Sequence, residues 1–193
     1  RLSPILVRPI REQFEHDRVV RQLQSRWRRR FSVTANPAGE LNGQVRLGVR
    51  ILHPDLILNT TEGGRRLHAL VEVETAESVN HLEAMAQWTD YAKVRGAFYL
   101  YVPAGLSDVA LRLCKAGEIN VSEIWSYYFV GGQMRFVMSY RSEGAKRAAK
   151  ARARVKGLSK AKKSTGGKAS KKTRKSGATK VVKKTRKTTS ARK

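Results

Sequence analysis

Pro54-Asp55-Leu56-Ile57-Leu58, then Asn59-Thr60-Thr61-Glu62-Gly63-Gly64-Arg65-Arg66, then Leu70-Val71-Glu72-Val73-Glu74-Thr75 read as strand, turn and strand. An acid opens the first strand, and two acids stand at alternate positions of the second. Side chains alternate faces along a strand, so Glu72 and Glu74 are expected to point the same way. Asp55 from the neighbouring strand would bring three carboxylates to one point. Like charges that close repel unless a cation sits between them. Mg²⁺ or Mn²⁺ is the expected ion, because Mg²⁺ takes a few carboxylates plus waters. Such an ion activates water against a phosphodiester.

Upstream, residues 11–28 read as a helix, with Phe14, Val19, Leu23 and Trp27 as its apolar face and Arg28-Arg29-Arg30 at its end. Phe31 to Thr34 reads as a short strand, and Asn36-Pro37-Ala38-Gly39 as a turn. Val45, Leu47, Val49 and Ile51 alternate with Arg46, Gly48 and Arg50, which predicts one half-buried strand with a basic outer face. Downstream, the spacing predicts a helix over 78–95 with Val79, Leu82 and Ala86 inward. Residues 97–102 read as a buried strand. A short helix over 107–115 follows, with Ser107 as N-cap. Residues 124–130 and 134–139 read as a hairpin around Gly131-Gly132. This mixed order predicts an α/β domain, a central mixed sheet flanked by helices.

The chain has 193 residues and a formal charge of +25, from 40 Lys and Arg against 15 Asp and Glu. The excess is uneven. Glu143 is the last acid, and about half of the basic residues lie beyond it. The charge shift divides the chain into a domain over 1–142 and a Lys/Arg-rich tail over 143–193. The tail lacks bulky apolar residues to bury, so it is expected to be disordered in isolation, with 145–155 turning helical once its charges are neutralised. A polyanion is the expected partner, DNA first, bound mainly through phosphates. No apolar run approaches the ~18 residues of a membrane span, so no membrane partner is expected. The single cysteine, Cys114, excludes an intrachain disulfide and reads as core packing. The default location is cytoplasmic and nucleoid-associated. The chain starts at Arg1, so an N-terminal piece is expected to precede it.

On these residues, 11–130 resembles the PD-(D/E)XK nuclease superfamily, the restriction-endonuclease-like fold. Pro54-Asp55 is similar to the first motif of that family. Glu72-Val73-Glu74 is similar to the second, with Glu74 where the family usually places lysine. Gln87 and Tyr91, four apart on one helix face, resemble the Gln-x-x-x-Tyr motif of RecB-type members. Glu12 or Glu15 matches a helical glutamate that some members add to the metal site. The resemblance implies a Mg²⁺-dependent deoxyribonuclease with Asp55, Glu72 and Glu74 as ligands and Gln87 and Tyr91 at the site. The tail resembles lysine-rich linker-histone tails, by composition alone.

Each residue also has a plainer reading. Asp55 may be read as a turn acid after proline, and Glu72 and Glu74 as partners of Arg46 and Arg50 across the sheet. Gln87, Tyr91, Glu12 and Glu15 are then ordinary helix surface. Lys93, ~22 Å along its helix from Ser78, serves the helix C-terminus rather than the site. His16, His53, His68 and His81 show no metal-binding spacing. Three function classes stay open: a metal-dependent nuclease tethered by a cationic tail, an inactive nuclease-like protein that binds DNA in the nucleoid, and a structural protein that condenses DNA by its tail with the core only a dimerisation platform. A homodimer is compatible with all three.

Overall fold

The computed structural model describes residues 9–151 and 153. The chain divides into two units, Arg1–Arg152 and Ala153–Lys193, and the architecture below is that of the first. Its centre is a six-stranded mixed sheet. The strands are β1 (Ser32–Ala35), β4 (Leu56–Asn59), β5 (Leu67–Val73), β6 (Ala97–Pro103), β7 (Glu123–Val130) and β8 (Gln133–Arg141), adjacent in that order. β1, β4 and β5 pair antiparallel, β6 joins β5 in parallel, β7 joins β6 in parallel, and β8 closes as an antiparallel hairpin. β2 (Val45–Leu47) and β3 (Arg50–Leu52) form a separate two-stranded ribbon.

Both faces of the sheet are covered. Helix α1 (Ile10–Trp27) lays Val19, Val20 and Leu23 on Leu56, Leu58, Val71, Val73, Tyr101 and Tyr127. The opposite face carries Ile57, Leu70, Phe98, Leu100 and Ile124 against Trp88, Tyr91, Ala110 and Cys114. Burial on both sides is why 67–73 and 97–103 are nearly continuous apolar runs in sequence. The α/β expectation, a mixed sheet flanked by helices, holds.

Several local expectations change. Phe14, expected on the inner face of α1, is 72% exposed; His16 takes the inward place on that turn. The single strand expected over 45–51 is instead the β2–β3 hairpin. Gly48 adopts φ +61°, which L side chains resist, and turns the chain within two residues. The helix expected from Ser78 starts at α2 (His81–Glu83), where the Asn80 side chain accepts from the Glu83 amide. It continues as a π-helical segment, Ala84–Trp88, and ends as α3 (Thr89–Lys93). The inward face is the opposite one: Leu82 and Ala86 point out, while Ala84, Trp88 and Tyr91, at i, i+4 and i+7, point in. Helix α4 (Ser107–Ala116) begins at the expected residue, but Leu106 rather than Ser107 stands at its N-cap. The Ser107 hydroxyl instead joins those of Ser126 and Ser139.

Beyond β8, residues 143–151 form a helix whose first turn is held by Ser142, the acceptor for the Ala145 amide. The first unit therefore extends past the charge boundary at 142. The disorder expected of the tail from 143 does not hold over 143–151, which are helical; the rest of that expectation falls on residues outside the described ones.

Candidate functional site

The acids read from sequence lie where β4 begins and β5 ends. The Asp55 backbone N–H donates to Glu72 Oε2 at 3.2 Å, and the Val73 N–H donates to Asp55 Oδ2 at 2.8 Å. Antiparallel pairing of β4 and β5 thus sets each carboxylate, 17 positions apart in sequence, against a backbone amide of the other strand. Both residues are buried, so little water shields their charges. Asn36 braces the entry to β4. It is buried, its side chain donates to Pro54 O at 2.7 Å and Gly43 O at 2.9 Å, and it accepts from the Gly43 N–H at 2.8 Å.

Glu74 behaves differently from Glu72. Strand β5 ends at Val73, but the Glu74 N–H still donates to Tyr101 O at 2.8 Å. The Glu74 side chain is fully buried, and its Oε1 accepts from the Trp88 indole at 2.7 Å. Its carbonyl accepts from the Tyr127 hydroxyl at 2.9 Å. The expectation of three carboxylates around one point narrows accordingly. Among the described residues, no group of three or more His, Cys, Asp and Glu side chains is placed to share an ion. Asp55 and Glu72 remain as a pair.

Tyr91 does reach this neighbourhood. Its hydroxyl donates to His53 O at 3.4 Å. Burial first, then the charges of Glu72, Asp55, Glu74 and Glu83, push its pKa well above the usual tyrosine value. Gln87 does not join it; its amide donates to Glu83 Oε2 at 2.9 Å, along the helix surface. Lys93 lies 3.9 Å from Asp90 at the end of α3, the helix-end role read for it.

Helix α1 contributes the opposite wall. Glu12 accepts from the Thr75 hydroxyl, and Glu15 lies 3.5 Å from the Tyr127 hydroxyl that donates to it. His16 is the contribution the sequence reading missed. Its Nε2 lies 3.0 Å from Asp55 Oδ2, and its Nδ1 lies 3.2 Å from Asp17 Oδ1. Burial raises the Asp17 pKa, yet bonds from the Ala38 amide, Gln13 and His16, with the His16 charge, outweigh it and hold the carboxyl below its usual range. An imidazole thus spans two carboxylates. The signal in sequence was Glu12, Glu15 and His16 at i, i+3 and i+4, one helix face. Ser78 adds a hydroxyl that accepts from the Thr75 N–H at 2.9 Å.

Chemically, the pair offers hard oxygen donors, suited to Mg²⁺, which is commonly held by one or two carboxylates with waters completing its shell. No protein-family model matches this chain, and no curated protein or solved structure is significantly similar to it.

Proposed function

We propose that the first unit is a metal-dependent nuclease domain of the PD-(D/E)XK type that hydrolyses DNA phosphodiesters, with the basic C-terminal segment holding the substrate. The observation that carries this reading is the contact between Asp55, at the start of β4, and Glu72, inside antiparallel β5. The element order supports it: a helix, three antiparallel strands, a helix, then a strand parallel to the third. In this reading Asp55 and Glu72 hold Mg²⁺ or Mn²⁺. The ion, when bound, supplies an acidified water and charge neutralisation at the phosphate. His16 and the Val73 amide orient the Asp55 carboxylate, so its geometry is set before substrate arrives. Tyr91, kept neutral by its surroundings, walls the site from the α3 side. Glu74 is a structural acceptor for Trp88 rather than a ligand.

The test is incubation of full-length protein with plasmid, linear and branched DNA in Mg²⁺, Mn²⁺ or EDTA. Cutting is expected only with metal. Asp55→Asn and Glu72→Gln are expected to abolish cutting and weaken metal binding in calorimetry, while DNA retention is unchanged.

A second reading has an observation of its own. The position that the family usually fills with lysine holds Glu74, bonded inside the fold. That favours a nuclease-like domain without activity that serves as a nucleoid DNA-binding protein. Wild-type protein that retains DNA, binds no divalent ion and cuts nothing selects this second reading.

A further inference from the structure

The β2–β3 ribbon contributes little to its own burial at the tip. Its inner residues Val45, Leu47 and Leu52 pack on the core, yet Val49, in the turn, is 100% exposed and Ile51 is 51% exposed. A solvent-facing valine at a tight turn gains nothing for folding. The stalk beneath it is rigidly held. Arg50 pairs with the buried Asp90, His53 Nδ1 lies 3.1 Å from Gly43 O, and Asn36 bonds both Gly43 and Pro54. From Leu41 to Pro54 the chain carries Arg46 and Arg50 and no acid. The ribbon's outer face pairs Arg46 with Ile51, a cation beside an apolar group.

The ribbon also runs directly into the acid site. Val49 and Asp55 are six residues apart. Fully extended, that chain spans at most ~20 Å, about six base-pair steps of duplex. An apolar tip flanked by arginine, braced on a stiff base and tied to a phosphate-handling site, has the chemistry of a groove-entering wedge. Such wedges insert apolar side chains between base steps while cations meet the backbone.

We propose that the β2–β3 hairpin is a DNA wedge: Val49, supported by Ile51, enters the groove of duplex bound at the Asp55–Glu72 site and partly unstacks a base step. The proposal rests on the DNA-binding part of the reading above and not on cleavage. Arg46, exposed on the ribbon's outer face and outside the Arg50–Asp90 pair, favours a polyanion over a second protein surface.

The test uses full-length protein in EDTA, where metal-dependent cutting is silent. Relaxed closed-circular plasmid is incubated with protein and a topoisomerase that needs no metal, then stripped of protein, and its topoisomers are resolved. Unstacking untwists DNA, so wild type is expected to shift the distribution to lower linking number. Val49→Ser is expected to reduce that shift severalfold at matched occupancy in a mobility-shift assay, and Val49→Leu to keep it. Val49 is fully exposed, so neither change threatens the fold. An equal shift from Val49→Ser, or none from bound wild type, overturns the wedge alone. Absence of plasmid binding overturns it together with the DNA reading. Conversion of an oligomer to a monomer by Val49→Ser, seen by light scattering, with no topological effect, assigns the tip to self-association instead.

Discussion

Glu74 shows how one side chain's surroundings set what a substitution can do. It is fully buried and accepts from the Trp88 indole at 2.7 Å. Glu74→Gln keeps an acceptor oxygen for that indole and is expected to cost about 1 kcal/mol or less. Glu74→Lys places a donor against a donor and a charge in the core, and should cost roughly 3–5 kcal/mol. Urea unfolding of both variants checks this; a lysine variant as stable as wild type would mean that the site opens to water at this position. A lysine at this position, the residue that the proposed nuclease reading would call for, is therefore expected to unfold the domain rather than add activity. Cys114 gives a second residue-level expectation. Burial pushes its thiol up to about 12. The folded value lies above the unfolded one, so stability contributed here is full below ~8.5 and falls as pH rises toward the folded value. Alkylation by iodoacetamide at pH 8 should be about a hundredfold slower in native than in urea-unfolded protein. At this scale the sequence was informative for Asp55 and Glu72, because strand alternation and one turn fix where they meet. It placed His16 on one helix face with Glu12 and Glu15, and Trp88 on one with Ala84 and Tyr91, but spacing alone does not say which face of a helix meets the site.

At the scale of elements, the joint between β1, the ribbon and β4 is held by side-chain bonds in addition to the β1–β4 sheet pairing. Asn36 makes three of them, at 2.7, 2.8 and 2.9 Å, to Pro54 and Gly43. Asn36→Ala leaves buried backbone groups without partners and is expected to destabilise by roughly 2–3 kcal/mol. Because Pro54 precedes Asp55, the same change should, under the proposed nuclease reading, lower the rate of cutting more than a surface change of equal stability cost. Gly43 tests the joint differently. A Cβ there would lie 2.6 Å from Thr34 Cγ2 and 3.0 Å from Ile57 Cδ1. Thr34 sits in β1 and is too short to move aside. Gly43→Ala is therefore expected to cost about 1–3 kcal/mol, read as a lowered midpoint in thermal unfolding. The ribbon also marks a limit of sequence reading. Alternating Val45, Leu47, Val49 and Ile51 suits one long strand and a two-strand hairpin equally until Gly48 turns. The helix after Ser78 misled similarly, since 3.6-residue spacing groups Leu82 with Ala86 and Ala84 with Trp88 and Tyr91 equally well, and the second set is the buried one.

Across the whole molecule, charge is segregated from chemistry. The 15 acids all precede residue 144, while about half of the 40 basic residues follow it. That division was legible in composition alone, as was the mixed α/β order, because apolar strands and amphipathic helices leave distinct periods. The end of the compact unit was not, since residues 143–151 form a helix from the same Lys, Arg and Ala that dominate the basic segment. Among the described residues no helix is long and apolar enough to cross a membrane. Independently of that, the excess of cations makes nucleic acid the first polyanion to test. Each phosphate neutralised by a cation contributes about −0.9 to the slope of log affinity against log salt. Full-length protein should therefore bind duplex with a steep slope and little sequence preference, and a chain ending at Arg152 should show a much shallower one. The two proteins should cut short oligonucleotides at similar rates under saturating DNA, because Asp55 and Glu72 lie within the retained unit. At low DNA and moderate salt the truncated chain should lag, since it lacks the cations that concentrate substrate near the site. Fluorescence anisotropy across a salt series measures the slopes. A truncated chain that kept the full slope would transfer the phosphate contacts to the folded unit, with Arg46 and the Arg28–Arg30 run the first places to substitute.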